Sequence, residues 1–179
     1  MRIKLLFMVC CLGFTFYVHA QGIYVPGKVA KGDSAAYYCE GDKYYLTIFN
    51  VNNTDTSLVM YYKDGRSAKN YEPEGSLLFH REDVIRVFCE ELTPDELNRI
   101  RGKYRYHLSI IVMCDSEGNA SNLTFRFVND DPVLTKFSPD RFYKLEQKLK
   151  KILKVQHGEE DKKIKSIKYL VSIGYRDIE

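Results

Sequence analysis

The stretch "IIVMCDSEGNASNLTFRF", residues 110–127, places two apolar runs on either side of a short acidic break that contains one glycine. The break is either a site that gathers acidic and amide side chains around a ligand, or the bend of a β-hairpin. Its residue types are those of tight turns, and Gly118 can supply a positive φ. A common calcium loop needs glycine sixth and glutamate twelfth, but counted from Asp115 these positions are Ala120 and Arg126. The sequence therefore predicts a hairpin turn without a metal site.

A helix and a further strand are predicted after this hairpin. In "SPDRFYKLEQKLKKILKVQHG", residues 138–158, Ser138 can cap the helix and Pro139 occupies its first position, while Gly158 is expected to end it. In the next stretch, "SIKYLVSIGY", apolar residues alternate with others, which is typical of a strand. The apolar face of the helix consists of Phe142, Leu145, Leu149, Ile152 and Leu153.

The order strand, turn, strand, helix, strand restricts the topology of the sheet. A helix that joins the second strand to a parallel third strand leaves room between them for the antiparallel first strand. The run from Ile110 to Met113 is apolar at every position, as a central strand covered on both faces should be. The sequence thus predicts an α+β fold with an antiparallel three-stranded sheet, a split β-α-β unit with one packed amphipathic helix. Its second and third strands are expected to be the edges.

Two segments upstream of the hairpin indicate further helices. In "TPDELNRIRG", residues 93–102, Thr93 and Glu96 form a capping box, Pro94 starts the helix and Gly102 ends it. The segment "REDVIRVFCEEL", residues 81–92, fits both a helical face and strand alternation. We favour a helix there, with the strand left open as an alternative.

The N-terminal half is predicted to be β-rich. The runs "YYLTIFNV" and "SLVMYY" are expected to form a hairpin region that closes at Asp64-Gly65, and residues 21–35 are expected to be a loop. The polar link "NYEPEG" ends just before Leu77. We therefore expect an N-terminal β-rich region at residues 21–76 and an α+β core at residues 77–179.

The first twenty residues have the pattern of a secretory signal. Arg2 and Lys4 precede an uncharged apolar stretch, and cleavage is expected between Ala20 and Gln21. An alternative is a lipoprotein acylated at Cys10 or Cys11, although neither cysteine follows the small residue that lipidation prefers. No later stretch approaches the roughly 20 apolar residues of a membrane span. The expected location is periplasmic or secreted, without stable membrane insertion after cleavage.

No catalytic motif, metal site or cofactor fingerprint is evident, so we expect no catalytic residues, no metal and no cofactor. Cleavage would leave three cysteines, Cys39, Cys89 and Cys114, and the sequence leaves open whether two of them pair. A nucleophilic pair of Cys114 and His107 is excluded, because seven residues apart on one strand they face opposite sides and lie over about 20 Å apart. A pair of Cys39 or Cys89 with His80 stays open.

From about Arg81 to Glu179 the pattern resembles the C-terminal domain of TonB proteins and related exported modules of Bacteroidetes-type bacteria. The residues that support the resemblance are the "LTPDELNRIRG" helix, the hairpin with Asp115 and Gly118 in its turn, the amphipathic helix and the closing strand. The chain departs from TonB in its cleavable leader, its extra N-terminal β region and its lack of a Pro-rich linker. The resemblance implies a β-β-α-β module that binds partners by adding a strand at its sheet edge.

These observations favour a non-enzymatic protein-binding module of the cell envelope. The formal net charge of +3 gives no reason to expect nucleic acid as a partner. The alternatives are an envelope hydrolase or transferase, or a carrier of a small ligand, with a site between the N-terminal hairpin and the core. The expected partner-binding edge is the uncharged middle of the last strand, which consists of Tyr169, Leu170, Val171, Ser172, Ile173 and Gly174.

Overall fold

The structure is a computed structural model that describes residues 22–53 and 59–178. The predicted signal at residues 1–20, with its cleavage site at Ala20 and Gln21, lies outside the described residues. Within them the fold is α+β, with a six-stranded antiparallel sheet, a separate two-stranded sheet and three α-helices that pack on the larger sheet. The strands are β1 (Val29–Lys31), β2 (Ala36–Gly41), β3 (Tyr45–Asn50), β4 (Ser76–Leu78), β5 (His107–Cys114), β6 (Ala120–Val128), β7 (Lys154–Gln156) and β8 (Ile167–Gly174), and the helices are α1 (Arg81–Cys89), α2 (Pro94–Ile100) and α3 (Pro139–Ile152).

β5 pairs on both sides, as the sequence predicts for the first strand of the hairpin. It pairs antiparallel with β6, where Ile110 lies opposite Phe125, and antiparallel with β8, where Ile110 lies opposite Val171. β6 and β8 are consequently parallel to each other and are joined through α3. The expected arrangement of these three strands is confirmed.

The three-stranded sheet is part of a larger one, because the N-terminal strands join it through β6. The order of the sheet is β1-β2-β3-β6-β5-β8. The expectation that β6 is an edge is therefore wrong, since β3 pairs with it from Tyr45 opposite Val128 to Phe49 opposite Thr124. β3 and β6 are far apart in sequence, and no pattern within either strand specifies the other as its neighbour.

The predicted N-terminal hairpin is also corrected. β3 pairs with β2, where Cys39 lies opposite Ile48, and not with the run at residues 57–62, of which residues 57 and 58 lie outside the described chain. The turn at Asp64-Gly65 exists, with a bridge between Tyr61 and Ser67, but it does not connect to β3. The stretch expected to be a loop contains the short strand β1. The run "YYLTIFNV" thus contains a strand as predicted, but its partner is different, and the described part of "SLVMYY" forms only isolated bridges.

The helices follow their local signals. The ambiguous segment is the helix α1, as favoured. α2 has the expected capping box, in which the Thr93 hydroxyl accepts from the Glu96 amide and the Glu96 carboxylate accepts from the Thr93 amide. α3 starts as predicted after Ser138 but ends at Ile152, not at Gly158, because Leu153 is extended and the chain continues into β7. In the described residues no helix is both long enough and apolar enough to cross a membrane.

The helices cover one face of the large sheet. Phe142 of α3 packs against Phe125 and Phe127 of β6, with ring centroids 5.0 and 5.8 Å apart, and its own side chain is fully buried. Phe88 of α1 stacks on Tyr175 just beyond β8 at 6.1 Å. Burial of such large rings provides most of the hydrophobic stabilisation. The face of β8 that carries Val171 and Ile173 belongs to this core.

An ion pair fixes α2 against α3. The guanidinium of Arg141 donates to both carboxylate oxygens of Glu96, at 2.8 and 2.7 Å, and also donates to the carbonyl of Glu91. The hydrogen bond from Arg141 lowers the pKa of Glu96 to about 2. Because both partners are less than a third exposed, this bidentate pair is better placed to stabilise the fold than the exposed pairs are.

Candidate functional site

β8 lies at one end of the sheet. Its eight residues pair with β5 from His107 opposite Gly174 to Cys114 opposite Ile167. Among the residues that the structure describes, no strand pairs with the opposite side of β8 between Tyr169 and Gly174. We call this side of residues Tyr169–Gly174 the open edge. It contains all six residues of the predicted partner-binding edge, which the structure places on one strand.

The hydrogen-bond pattern fixes which backbone groups point outward. The Tyr175 amide donates to the Tyr106 carbonyl, and pairs that exchange hydrogen bonds alternate with pairs that do not in an antiparallel ladder. Val171 and Ile173 therefore bond to β5. The N–H and C=O groups of Leu170 and Ser172, which lie between the bonded pairs, point away from β5 into the open edge.

Side chains alternate between the two faces of β8. Val171 and Ile173 are buried under the helices, at 4% and 1% exposure. Leu170 lies on the other face, where it is 67% exposed and opposite Ile111 of β5, and Ser172 lies opposite Ser109 on that face. An edge with an exposed leucine and no charge over six residues lacks the usual protection against pairing with another strand.

The chain limits the open edge at its N-terminal end. The Lys165 amide donates to the Tyr61 carbonyl at 2.8 Å, and Tyr62 forms an antiparallel bridge with Ile164. The ammonium of Lys168 donates to the Val59 carbonyl at 3.0 Å. Residues 59–62 thus lie beside the start of β8, and pairing by another strand is restricted to positions beyond Lys168.

The C-terminal end of the open edge is limited by the turn at Tyr175–Asp177. The Tyr175 hydroxyl donates to the Asp131 carboxylate at 2.7 Å, which anchors the turn in the core. Arg81 donates to Asp177 at 2.5 Å, and this bond holds the pKa of Asp177 below its ordinary value. The Asp177 carboxylate lies beside Gly174, where it would be 3.0 Å from a Cβ, so the turn crowds position 174. Leu170 and Ser172 keep outward N–H and C=O groups, which we call the outward rungs.

The acidic break is the turn of the β5–β6 hairpin. The Asp115 carboxylate accepts from the amides of Glu117 and Asn119 at 2.9 Å each, and Gly118 has φ +84°. Within the described chain no group of three or more His, Cys, Asp or Glu side chains is arranged to hold a metal ion. The prediction of a turn is confirmed.

The turn also supports β7, which the sequence did not indicate. The Val155 amide donates to the Gly118 carbonyl at 2.8 Å, and Asn119 bridges to Lys154. A side chain at position 118 would overlap the Val155 carbonyl oxygen. Glycine is required there both by its backbone conformation and by the close approach of β7.

Asp161 organises a second polar cluster that sequence reasoning missed. One carboxylate oxygen accepts from the Tyr71 hydroxyl at 2.5 Å and the Glu74 amide at 3.0 Å, and the other accepts from the amides of Gly75 and Gly158 at 2.7 and 2.8 Å. Asp161 is only 1% exposed. Its acceptor sites are filled by the chain itself, so the carboxylate is a structural link between residues 71–75 and residues 157–161.

His157 lies beside this cluster, directly after β7. Its Nε2 lies 2.7 Å from the Asp115 carbonyl and must donate to it, while Nδ1 faces Asp161 at 4.0 Å. His157 Nδ1 and the Tyr169 hydroxyl are buried and make no hydrogen bond with described residues. The cluster connects the hairpin turn to the two-stranded sheet formed by β4 and β7.

The cysteines do not form a catalytic pair. Cys39, Cys89 and Cys114 are all free thiols, and burial raises the pKa of Cys39 to about 11 and of Cys114 to about 12. Cys89 and His80 are at opposite ends of α1, about 13 Å apart along the helix axis. The structure thus brings none of these thiols into the state of an activated nucleophile.

Several depressions are present on the described surface. One of about 560 Å³ lies between β4 and α1, and its lining is mainly apolar with His80 and Asp83. A second, of about 550 Å³, is lined mostly by charged side chains around Tyr62 and Lys163. Cys89 lines a third depression, of about 510 Å³, between α1 and the turn at Tyr175–Asp177. β3 meets the core by pairing directly with β6, and the second depression lies between residues 62–66 and residues 160–163.

Comparison with known proteins extends only to the fold. The chain is similar to the crystal structure of a DUF5043 family protein from Bacteroides uniformis, with a TM-score of 0.70, 22% sequence identity, and coverage of 86% of this chain and 88% of that one. No family model and no curated protein matches the sequence. At this identity the similarity establishes a shared architecture.

The resemblance to TonB C-terminal domains is wrong. No TonB family model matches, and the similarity to the DUF5043 structure extends across the N-terminal strands as well as the part that carried the resemblance. The hairpin turn and amphipathic helix behind the resemblance are general features of antiparallel α+β folds. Here they belong to a six-stranded sheet.

Replacement of Gly118 by alanine tests the contact with β7. Gly65 is a matched control, because it also has a positive φ, of +89°, but no atom lies within 4 Å of where a Cβ would be. We expect Gly65→Ala to cost about 1 kcal/mol from backbone strain and Gly118→Ala to cost about 3 kcal/mol or more. Urea unfolding of both variants measures the difference. Equal costs would mean that the Val155 carbonyl does not restrict position 118.

Asp161→Asn tests the polar cluster. Although burial raises the pKa of Asp161, hydrogen bonds from Tyr71, Gly158 and the 74–75 amides outweigh it, and the pKa lies below its ordinary value. The contribution of this carboxylate to stability is therefore complete above pH 4–5 and lost as the pH falls through the lowered pKa. We expect Asp161→Asn to destabilise by about 2–4 kcal/mol at pH 7, because an amide group faces backbone donors.

Urea unfolding measures the difference in the free energy of unfolding between wild type and Asp161→Asn. We expect this difference to be smaller near pH 3 than at pH 7. Glu159→Gln is the control, since Glu159 is an exposed carboxylate of the same segment and should change stability by less than about 0.5 kcal/mol. An Asp161→Asn variant as stable as wild type at pH 7 would contradict the role of this carboxylate as a structural link.

Proposed function

We propose that this protein is an exported, non-enzymatic protein-binding module that receives an extended segment of a partner along the open edge of β8. The single observation that carries the proposal is the pair of outward backbone rungs at Leu170 and Ser172, within the uncharged stretch Tyr169–Gly174 of an edge strand. Strand addition uses such rungs for affinity and the alternating side chains for specificity. The envelope of the cell is the proposed location of the partner.

The chemistry of the edge supports strand addition over other modes of binding. Edge strands are ordinarily blunted by charge, proline or a bulge, and residues Tyr169–Gly174 carry none of these. A partner strand would satisfy the outward N–H and C=O groups and would cover part of Leu170. The rigid ladder with β5 holds the edge in an extended conformation, so little ordering entropy is lost on this side.

Export is supported by the leader pattern, in which Arg2 and Lys4 precede an apolar stretch and a small residue, Ala20, marks the cleavage position. A hydrolase, a transferase or a carrier of a small ligand has less support. β3 pairs directly with β6, and the depression between residues 62–66 and residues 160–163 is lined mostly by charged side chains, with no histidine or cysteine among its lining residues. The high pKa values of the buried thiols also argue against a cysteine nucleophile.

A comparison of Ser172→Pro with Ser172→Ala tests whether the partner binds to the outward backbone N–H of residue 172 or to its side chain. Both remove the hydroxyl, but only proline removes the outward N–H, and that N–H takes no part in the ladder with β5. The tagged protein and both variants are used to capture proteins from the envelope fraction of the native host. We expect wild type and Ser172→Ala to capture the same partner and Ser172→Pro to lose it.

Thermal unfolding of each variant checks that the fold is retained before capture is compared. Unchanged capture by folded Ser172→Pro would show that the open edge is not where the partner binds.

A further inference from the structure

We propose that the open edge takes a second copy of this chain, paired antiparallel with itself about a two-fold axis at Val171. This inference rests on the proposed function, because it names the strand that is added. It requires that the open edge be complementary to itself. The positions of the outward rungs and of the surrounding charges meet that requirement in one register.

The outward rungs define the register. Because the Asp177 carboxylate lies beside Gly174 and the start of β8 lies beside residues 59–62, the rungs that the described residues leave available for pairing are those of Leu170 and Ser172. Antiparallel pairing about Val171 places Leu170 opposite Ser172 of the second copy, and Ser172 opposite Leu170 of the second copy. Each of these pairs exchanges two hydrogen bonds, which gives four in all.

Side chains are compatible with this register. Even-numbered residues of both copies share one face, where Leu170, 67% exposed in a single chain, comes diagonally beside Leu170 of the second copy. Val171 of each copy lies on the axis, on the helix-covered face. Lys168 comes opposite Gly174 of the second copy, so no two charges of like sign face each other between positions 168 and 174.

Registers shifted by two residues are less compatible. A shift in one direction places Gly174 of the second copy, which Asp177 crowds, opposite Leu170 and leaves only Ser172 paired with an available rung. A shift in the other direction places Gly174 of the second copy opposite Ser166, where Lys165 already bonds to Tyr61. Shifts by one residue would set outward rungs against inward ones. Only pairing about Val171 uses both available rungs.

The resulting dimer is isologous, which is the commonest symmetry of soluble oligomers. The two six-stranded sheets would join into one continuous sheet, with the helices of both copies on the same side. With four backbone hydrogen bonds and one exposed leucine from each copy, the contact is small. We therefore expect a concentration-dependent equilibrium between monomer and dimer and not a permanent dimer.

Sedimentation velocity of the purified chain over a wide range of concentrations tests the dimer. Wild type and Ser172→Ala should show the same association, and Ser172→Pro, which removes two of the four hydrogen bonds, should weaken it by about 30-fold. Leu170→Lys is a second variant, because Leu170 is exposed and its replacement leaves the core unchanged. It should weaken the dimer as well, because it places like charges of the two copies beside each other.

Disulfide trapping tests the register. A mixture of Leu170→Cys and Ser172→Cys should form a cross-linked heterodimer under mild oxidation, since these positions are directly opposite. Either variant alone should cross-link far less, and wild type controls for the native thiols, which in the described residues are Cys39, Cys89 and Cys114. Preferred cross-linking of either variant with itself would overturn the register.

The two proposals fail in different ways. A chain that stays monomeric at all concentrations overturns the dimer. The proposed function is still supported in that case if wild type captures an envelope protein and Ser172→Pro does not. A dimer that neither Ser172→Pro nor Leu170→Lys weakens also overturns pairing at this edge. If Ser172→Pro changes neither association nor capture, both proposals are wrong.

Discussion

The pairing of β3 with β6 is the contact on which the rest of the structure depends. It joins the N-terminal strands to the β5–β6 hairpin and makes one six-stranded sheet from two parts of the chain that are far apart in sequence. It also covers the outer side of β6, so β8 is left at the other end of the large sheet. The candidate binding edge on β8 is a consequence of where the N-terminal strands attach.

Polar anchors then determine how much of β8 is available. At one end Tyr61 and Tyr62 lie beside Ile164 and Lys165, and the nearby Asp161 carboxylate ties residues 71–75 to residues 157–161. At the other end Tyr175 bonds to the buried Asp131, whose pKa is raised by that burial. These contacts fix both ends of the strand. The uncharged middle remains as a short, rigid edge with two outward rungs.

Local features of the sequence predicted local structure well. The capping box of Thr93 and Glu96, the Ser138–Pro139 start of α3 and the turn at Gly118 each depend on residues within a few positions of one another. The alternation of β8 also identified the candidate edge, because one face of that strand packs against helices. The topology rules for a β-β-α-β unit were enough to place β5 between β6 and β8.

Non-local contacts were not predictable in the same way. β3 has the composition of a strand, but nothing in it specifies β6 as its neighbour, and the predicted hairpin was wrong for this reason. The bonds of Asp161 to Tyr71 and Gly75 span more than 80 positions of sequence. The early end of α3 depends on β7 pairing with β4, again at long range. The TonB resemblance failed because it rested on local patterns that unrelated sheets share.

Hydrogen exchange of the backbone amides of β8 tests the central claim most directly. Measured by NMR at low protein concentration, the amides of Leu170 and Ser172 should exchange faster than those of Val171 and Ile173, by roughly two orders of magnitude or more, because only the latter bond to β5. Uniform protection along the strand, or slow exchange at Leu170 and Ser172, would contradict an open edge with outward rungs at these positions.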